Sequence, residues 1–233
     1  MSWRQYWEND TSVYVSPRHK HVHYALLADQ IRGLVPKPSA QVLDYGCGEA
    51  LQAGRIAEAC GHLYLLDGAV RVRSDLADRH GNDTRISILS PEDLDAGIGD
   101  GTLDLVILNS VLQYLPAAER DETLARLARK LAPAGRLVVA DVIPPSVGPL
   151  QDAWALLRLG AANGFLLATV LGLARALFSP YRSVRSQLGL SHYDEATAIA
   201  FLDRAGLKAR RMSHNLGHNP ARMAFLAQRR DAA

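Results

Sequence analysis

The chain has 233 residues, 48% of them hydrophobic, and carries 26 Lys and Arg against 24 Asp and Glu for a formal net charge of +2. That length supports one domain with a substantial core, and the near balance of charge, without a Lys/Arg block, gives nucleic-acid binding no support. Cys47 and Cys60 lie outside any CxxC pair and no Cys/His cluster has zinc spacing, which argues against a disulfide framework and against a metal site.

In chain order, the opening "MSWRQYWEND" has no apolar signal-peptide core, so a cytoplasmic setting is expected. Residues 1–35 combine Trp3, Tyr6, Trp7, Tyr14 and Tyr24 with His19, His21 and His23. They read as a helical cap, a short helix followed by one over about 19–34. Apolar strands follow at "QVLDY" (41–45), "HLYLLD" (62–67), "RISIL" (85–89), "LDLVILN" (103–109) and "RLVVADV" (136–142). Helices are expected at 50–60, 70–80 and 117–132, the last with Leu124, Leu127 and Leu131 on one face and "PAGR" at its end. After the loop "PPSVGPL" comes an apolar stretch over 153–178. A helix over 193–206 ends at Gly206, and strands at 207–214 and 222–228 are linked by "NLGHNPA" as a hairpin.

Strands apolar at nearly every position, joined by helices, predict a parallel sheet covered on both faces. The expected fold class is α/β: a doubly wound, Rossmann-like sheet of about seven strands, the last antiparallel. The expected organisation is one domain of 1–233. Within it, 1–35 is the cap, 36–145 a cofactor-binding core, 146–190 a helical lid insert before the sixth strand, and 191–233 a closing helix and two strands.

The stretch "VLDYGCGEAL" (42–51) ends the first strand in an acid and a glycine turn. Gly46 and Gly48 let backbone approach a ligand closely, and ligands of such sheets sit at the carboxyl ends of the strands. The dinucleotide fingerprint fails, because Leu51 stands at its third glycine, and no Lys-Ser/Thr follows to make a phosphate loop. Asp67 ends the second strand, where an acid accepts from ribose hydroxyls. Asp44, Gly46, Gly48 and Asp67 together suit a nucleoside with a charged amino-acid tail better than a diphosphate.

These segments, with "LYLLDGA" (63–69), "SPEDL" (90–94), "LDLVILNSVLQYLP" (103–116), "LARKLAPAGRLVVADV" (127–142) and "YDEATAIAFLDRAGLKARRM" (193–212), resemble in order the motifs of class I S-adenosylmethionine-dependent methyltransferases of the small-molecule type. The resemblance implies S-adenosyl-L-methionine as cofactor. It implies that Asp44, Gly46 and Gly48 hold the methionine part, and that Asp67 holds the ribose, with Gly68 and Ala69 beside the adenine. Glu92, Asp93 and Leu94 would border that ring, and Asn109, Ser110 and Val111 would floor the site near the sulfonium. Ala50 departs from the third glycine of a common G-x-G-x-G pattern.

The implied reaction is in-line methyl transfer to a small, lipophilic or aromatic acceptor, governed by proximity. A general base helps a hydroxyl, phenol or amine acceptor, and histidine suits that task. His19 and Tyr14 are the catalytic candidates, with Tyr24 helping to close the site and His21, His23, His192, His214 and His218 as further histidines. Gln113 and Tyr114 are candidate acceptor contacts. The apolar insert is punctuated by glycines, and its uninterrupted run between Arg158 and Arg175 is too short to span a bilayer. It is expected to wall the acceptor pocket, or else to meet a second subunit or a membrane surface with Arg158, Arg175, Arg182 and Arg185 at the rim. The expected partners are a small-molecule acceptor and no nucleic acid, in a monomer or homodimer. A nicotinamide-dependent oxidoreductase and a non-catalytic binding module are the alternatives. A nucleic-acid or protein methyltransferase lacks support, since "NSVLQY" replaces the Asn/Asp-Pro-Pro-Tyr type of motif after the fourth strand.

Overall fold

The computed structural model describes residues 14–177 and 190–230. Trp3, Tyr6, Trp7, the expected first short helix, Arg182 and Arg185 therefore lie outside the described residues. A helix α1 (Pro17–Arg32) precedes an alternating core of β1 (Gln41–Tyr45), α2 (Ala53–Ala57), β2 (His62–Leu66), α3 (Val70–His80), β3 (Ile86–Leu89), α4 (Leu94–Gly97), β4 (Leu103–Asn109), a 3-10 turn (Leu112–Tyr114), α5 (Ala117–Lys130) and β5 (Leu131–Val142). Then come α6 (Pro149–Asn163), α7 (Leu166–Leu177), α8 (Glu195–Arg204), β6 (Leu207–Arg211) and β7 (Met223–Arg229). The seven strands form one sheet in the order β3-β2-β1-β4-β5-β7-β6. The first five are parallel, and β7 runs antiparallel to both β5 and β6.

Period-two alternation makes the two cores. Leu43, Val106, Leu108, Leu137 and Val139 face α5 and α8, where Leu124, Leu127 and Phe201 cover them. Val42, Leu63, Leu105, Ile107 and Val138 face the other way, onto α1, α2 and α3 through Leu27, Ile31, Ile56 and Leu76. Each such fully buried aliphatic side chain contributes roughly 1.5–3 kcal/mol. The order reverses between β1 and β4, so the crevice for a ligand opens above their carboxyl ends.

Three elements differ from expectation. The helix expected over 50–60 is only α2, because Gly46, Gly48 and Ala50 all have positive φ and residues 46–52 are spent on the turn. Strand β5 begins at Leu131 rather than 136. Leu131 pairs with Leu103 before the register shifts to Arg136 opposite Leu105. The bulge is tight: a Cβ on Gly135 would lie 2.4 Å from the Leu103 carbonyl oxygen. The apolar stretch is two helices, parted at Gly164 with φ +75°. They close against each other where Gly160 meets Thr169, since a Cβ on Gly160 would lie 2.6 Å from Thr169 Oγ1. No described helix is long and apolar enough to cross a membrane.

Candidate functional site

Backbone geometry at the glycine turn leaves no room for side chains. Gly46 sits at φ +73°, and a Cβ there would lie 2.5 Å from Val111 Cγ2. Gly48 sits at φ +57°, where a Cβ would lie 3.0 Å from the Tyr24 hydroxyl. Asp67, at the end of β2, binds this turn directly. Its Oδ2 accepts from Gly48 N at 3.0 Å and its Oδ1 from Ala69 N at 2.9 Å. Arg73 Nη1 donates to the carbonyls of Asp67 and Gly68, which fixes the turn between β2 and α3.

A cleft opens here, lined by Asp44, Gly46, Cys47 and Asn109 on the sheet side and by Tyr24, Leu27 and Ile31 of α1. Asp44 is buried in it, and burial first, then the charge of Asp67, pushes its carboxyl up to about 7. Asn109 Oδ1 is buried without a hydrogen-bond partner among the described residues. Two acceptor groups thus face one cleft whose own donors do not satisfy them, and such groups are costly to leave unpaired. A ligand bearing cationic and N–H groups fits this donor deficit; a second anion would not. The residues present therefore fit S-adenosylmethionine, whose sulfonium and ammonium are both cationic.

The remaining expected cofactor contacts divide. Leu94 is buried in the core, whereas Glu92 and Asp93 are exposed. Asp93 turns back on its own loop, accepting from Ser90 Oγ at 2.7 Å, and the Ser90 hydroxyl and amide hold its carboxyl below the usual range. Ser110, at φ +59°, donates from Oγ to Asp141 Oδ2 at 2.6 Å. Gln113 is buried with its Oε1 unpartnered among the described residues, and Tyr114 is half-buried beside it.

Helix α1 roofs the turn. The Tyr24 hydroxyl accepts from Glu49 N at 3.0 Å, and Lys20 Nζ lies 2.7 Å from Glu49 Oε1. Beyond Tyr24 the aromatic rings continue toward the carboxyl end of β5. His23 lies 5.3 Å from the Tyr24 ring and 6.4 Å from His218, and His218 lies 6.2 Å from His19. Tyr14 packs on His19, His23 and Tyr24, and Phe165 from the α6–α7 corner stacks on His19 at 5.3 Å. Of the eight histidines these three converge, while His192 and His214 stand elsewhere, His214 exposed beside Ser213 in the β6–β7 link.

Burial dominates the chemistry of this roof. It lowers His19 to about 4 and His23 to about 3, each further depressed by neighbouring histidine charge. His218 is lowered by burial too, but Asp141 pulls the other way. Tyr14 is pushed up to about 12. His19 Nδ1 accepts from Val15 N at 3.3 Å, so one ring nitrogen is already committed.

Sequence reasoning missed the ionic floor under this roof. Arg222 Nη1 donates to Asp141 Oδ2 at 3.0 Å, and its Nη2 reaches both oxygens of Asp152 on α6, at 3.1 and 3.0 Å. Asn215 Oδ1 accepts from Asp141 N and Asn219 Nδ2 donates to Asp152. One signal was available: Asp141 ends an apolar strand as Asp44 and Asp67 nearly do. Nothing local marks Arg222, which sits 81 residues away in a link between strands.

A sequence model of the methyltransferase domain matches residues 43–139. An uncharacterized methyltransferase of Mycobacterium tuberculosis is 28% identical over 131 residues, 56% of this chain and 64% of that protein. The carboxy-S-adenosyl-L-methionine synthase of Shewanella oneidensis is 30% identical over 139 residues, 55% of this chain and 56% of the synthase. The chain thus spans about three fifths of the length of the curated relatives it matches. The magnesium protoporphyrin IX methyltransferase of Synechocystis, solved with S-adenosylhomocysteine bound, superposes with a TM-score of 0.59 at 18% identity, covering 97% of this chain and 92% of that one. That likeness is one of fold.

Proposed function

We propose that the chain is a class I S-adenosylmethionine-dependent methyltransferase, a reading supported by the methyltransferase domain model over residues 43–139, and that it methylates a small, lipophilic or aromatic acceptor held above the carboxyl ends of β4 and β5. The observation that supports this most is a single continuous roof. Tyr24 covers the glycine turn, and His23, His218 and His19 carry the roof on to Asp141 and Phe165. Cofactor cleft and acceptor pocket then share one cover that excludes water from both.

When bound, the cofactor supplies an activated methyl group that departs from sulfur, leaving the bonding electrons there, as it bonds to the acceptor. Asp44 and Asn109 complement its positive charge, Asp67 takes its ribose hydroxyls, and Gly68, Ala69, Glu92, Asp93 and Leu94 border its base. Ser110, Gln113 and Tyr114 orient the acceptor, and orientation alone can be worth on the order of 7–11 kcal/mol. His218 takes the acceptor's proton, since it is neutral at pH 7 and Asp141 sustains its basicity. His19, with Nδ1 engaged and its ring on Phe165, walls the pocket. Tyr14 stays protonated and serves as a donor.

Calorimetric titration with S-adenosylhomocysteine tests the cofactor half of this reading. Asp67→Ala should weaken binding by about tenfold or more, the scale of one lost charge-assisted hydrogen-bond set. Binding of the same strength in that variant would overturn the ribose assignment.

A further inference from the structure

Six of the seven large hydrophobic side chains that stand exposed among the described residues belong to the α6–α7 hairpin. Their spacing is regular. Leu150, Trp154 and Arg158 follow one another every fourth residue along α6, and Leu167, Leu171 and Arg175 do the same along α7. Leu150 is 86% exposed, Leu167 73% and Trp154 58%. The Arg158 guanidinium lies 5.1 Å from the Trp154 ring.

Charge on this hairpin has one sign. From 153 to 177 the only charged residues are Arg158 and Arg175, both exposed. The acid of α6, Asp152, turns inward to Arg222 and Asn219. Apolar stripes tipped by arginine, with an interfacial tryptophan and no exposed acid, match the requirements of an anionic lipid surface. Neither helix is long and apolar enough to cross a membrane, so the hairpin would lie in the plane of the interface.

We infer that this face docks on an anionic phospholipid surface and presents the acceptor pocket to it. The coupling is structural: Phe165, at the corner of the same hairpin, stacks on His19. Gly172 packs on Val15, where a Cβ would lie 2.5 Å from Val15 Cγ1. Arg18 Nε donates to the Asn163 carbonyl. A lipophilic acceptor can then enter from the lipid without crossing water; this purpose rests on the acceptor class proposed above, whereas docking itself does not.

The test uses the full chain with Trp3→Phe and Trp7→Phe, which leaves Trp154 as the sole fluorophore of its kind. It is mixed with vesicles of phosphatidylcholine alone, or with about a quarter phosphatidylglycerol. Trp154 emission should shift to the blue, and the protein should sediment, with the anionic vesicles only. About 1 M salt, which shortens screening to ~3 Å, should release it. Arg158→Gln and Arg175→Gln should each weaken binding roughly fivefold. Leu167→Glu with Leu171→Glu should abolish it while leaving S-adenosylhomocysteine titration unchanged. No emission shift on anionic vesicles, or equal binding to uncharged ones, overturns the inference. So does a dimer in light scattering that Leu167→Glu dissolves without any vesicle binding, which would assign the face to a second copy. Failure of the cofactor titration without vesicles would instead sink the methyltransferase reading and leave the vesicle result standing by itself.

Discussion

At the scale of single residues, Asp44 is the most telling group. Its carboxyl is raised from 3.8 to about 7 by burial and by the charge of Asp67. A raised carboxyl means that the folded protein holds a proton that the unfolded chain has released. The stability this contributes is full below pH about 4 and is lost as pH rises through about 7. A cationic ligand reverses the preference, because it favours the carboxylate. S-Adenosylhomocysteine, through its ammonium group, is therefore expected to bind with release of a proton below pH 7. Affinity should climb by up to about tenfold per pH unit toward 7 and flatten above it. Calorimetry in buffers of unlike ionisation enthalpy reads the proton directly, and Asp44→Asn should remove both the proton and the slope. Affinity independent of pH in the unaltered protein would show that Asp44 does not face the ligand's charge.

At the scale of elements, α1 is held over the sheet by Leu27, Ala28 and Ile31 and carries buried histidines at its other end, while the α6–α7 hairpin is tied down through Asp152 and Phe165. The roof histidines make α1 sensitive to acid. His19 and His23 fall from 6.5 to about 4 and about 3, so the opened chain binds protons before the closed one does. Their contribution is full above 6.5 and is lost as pH falls toward 4. The facing groups are His218, Asp141, Arg222, Tyr14, Tyr24, Glu49 and Lys20. Only the carboxylates of Glu49 and Asp141 would welcome the new charge. Amide exchange over Pro17–Arg32 should accordingly rise below pH about 5 before that of β1 and β4 does. Simultaneous exchange of all three would sink the idea of a separate opening. On the other side, Arg222 joins β5 to α6 through Asp141 and Asp152, with its side chain 12% exposed. Removing one partner of such a buried set strands the others, at about 3–5 kcal/mol. Arg222→Ala should lower the melting temperature by on the order of 10 °C, and Arg222→Lys should recover only part, because one ammonium cannot span both carboxylates.

At the scale of the whole molecule, what was legible from sequence is what local chemistry dictates. The five parallel strands showed as apolar runs, the closing hairpin as two strand-like segments around a turn-rich link, and the glycine turn tied to Asp67 as Asp44, Gly46, Gly48 and Asp67, because each of these is set by neighbours within a few residues. The division of the apolar insert at Gly164 was less visible, since glycine recurs throughout that stretch. Of the Asp141–Arg222–Asp152 floor only Asp141, an acid near the end of an apolar strand, carried a local signal, and the meeting of His23 with His218 carried none. They depend on how α1, α6 and the β6–β7 link close over the sheet, which no short stretch encodes. That closure makes the protein one unit in which the cofactor stabilises more than its own pocket. A ligand at a hundred times its dissociation constant adds about 2.7 kcal/mol to the folded state, and for a chain of this length each kcal/mol is worth ~2–4 °C. S-Adenosylhomocysteine at that excess should therefore raise the melting temperature by roughly 5–10 °C in a single transition. Asp67→Ala, if it binds about tenfold more weakly, should keep only about half of that rise at the same concentration. A nicotinamide dinucleotide should also leave the transition in place, since Asp44 opposes a pyrophosphate and Leu51 replaces the glycine that would admit one. A rise with the dinucleotide and none with S-adenosylhomocysteine would return the chain to the oxidoreductase alternative, because the same crevice would then be answering to the opposite charge.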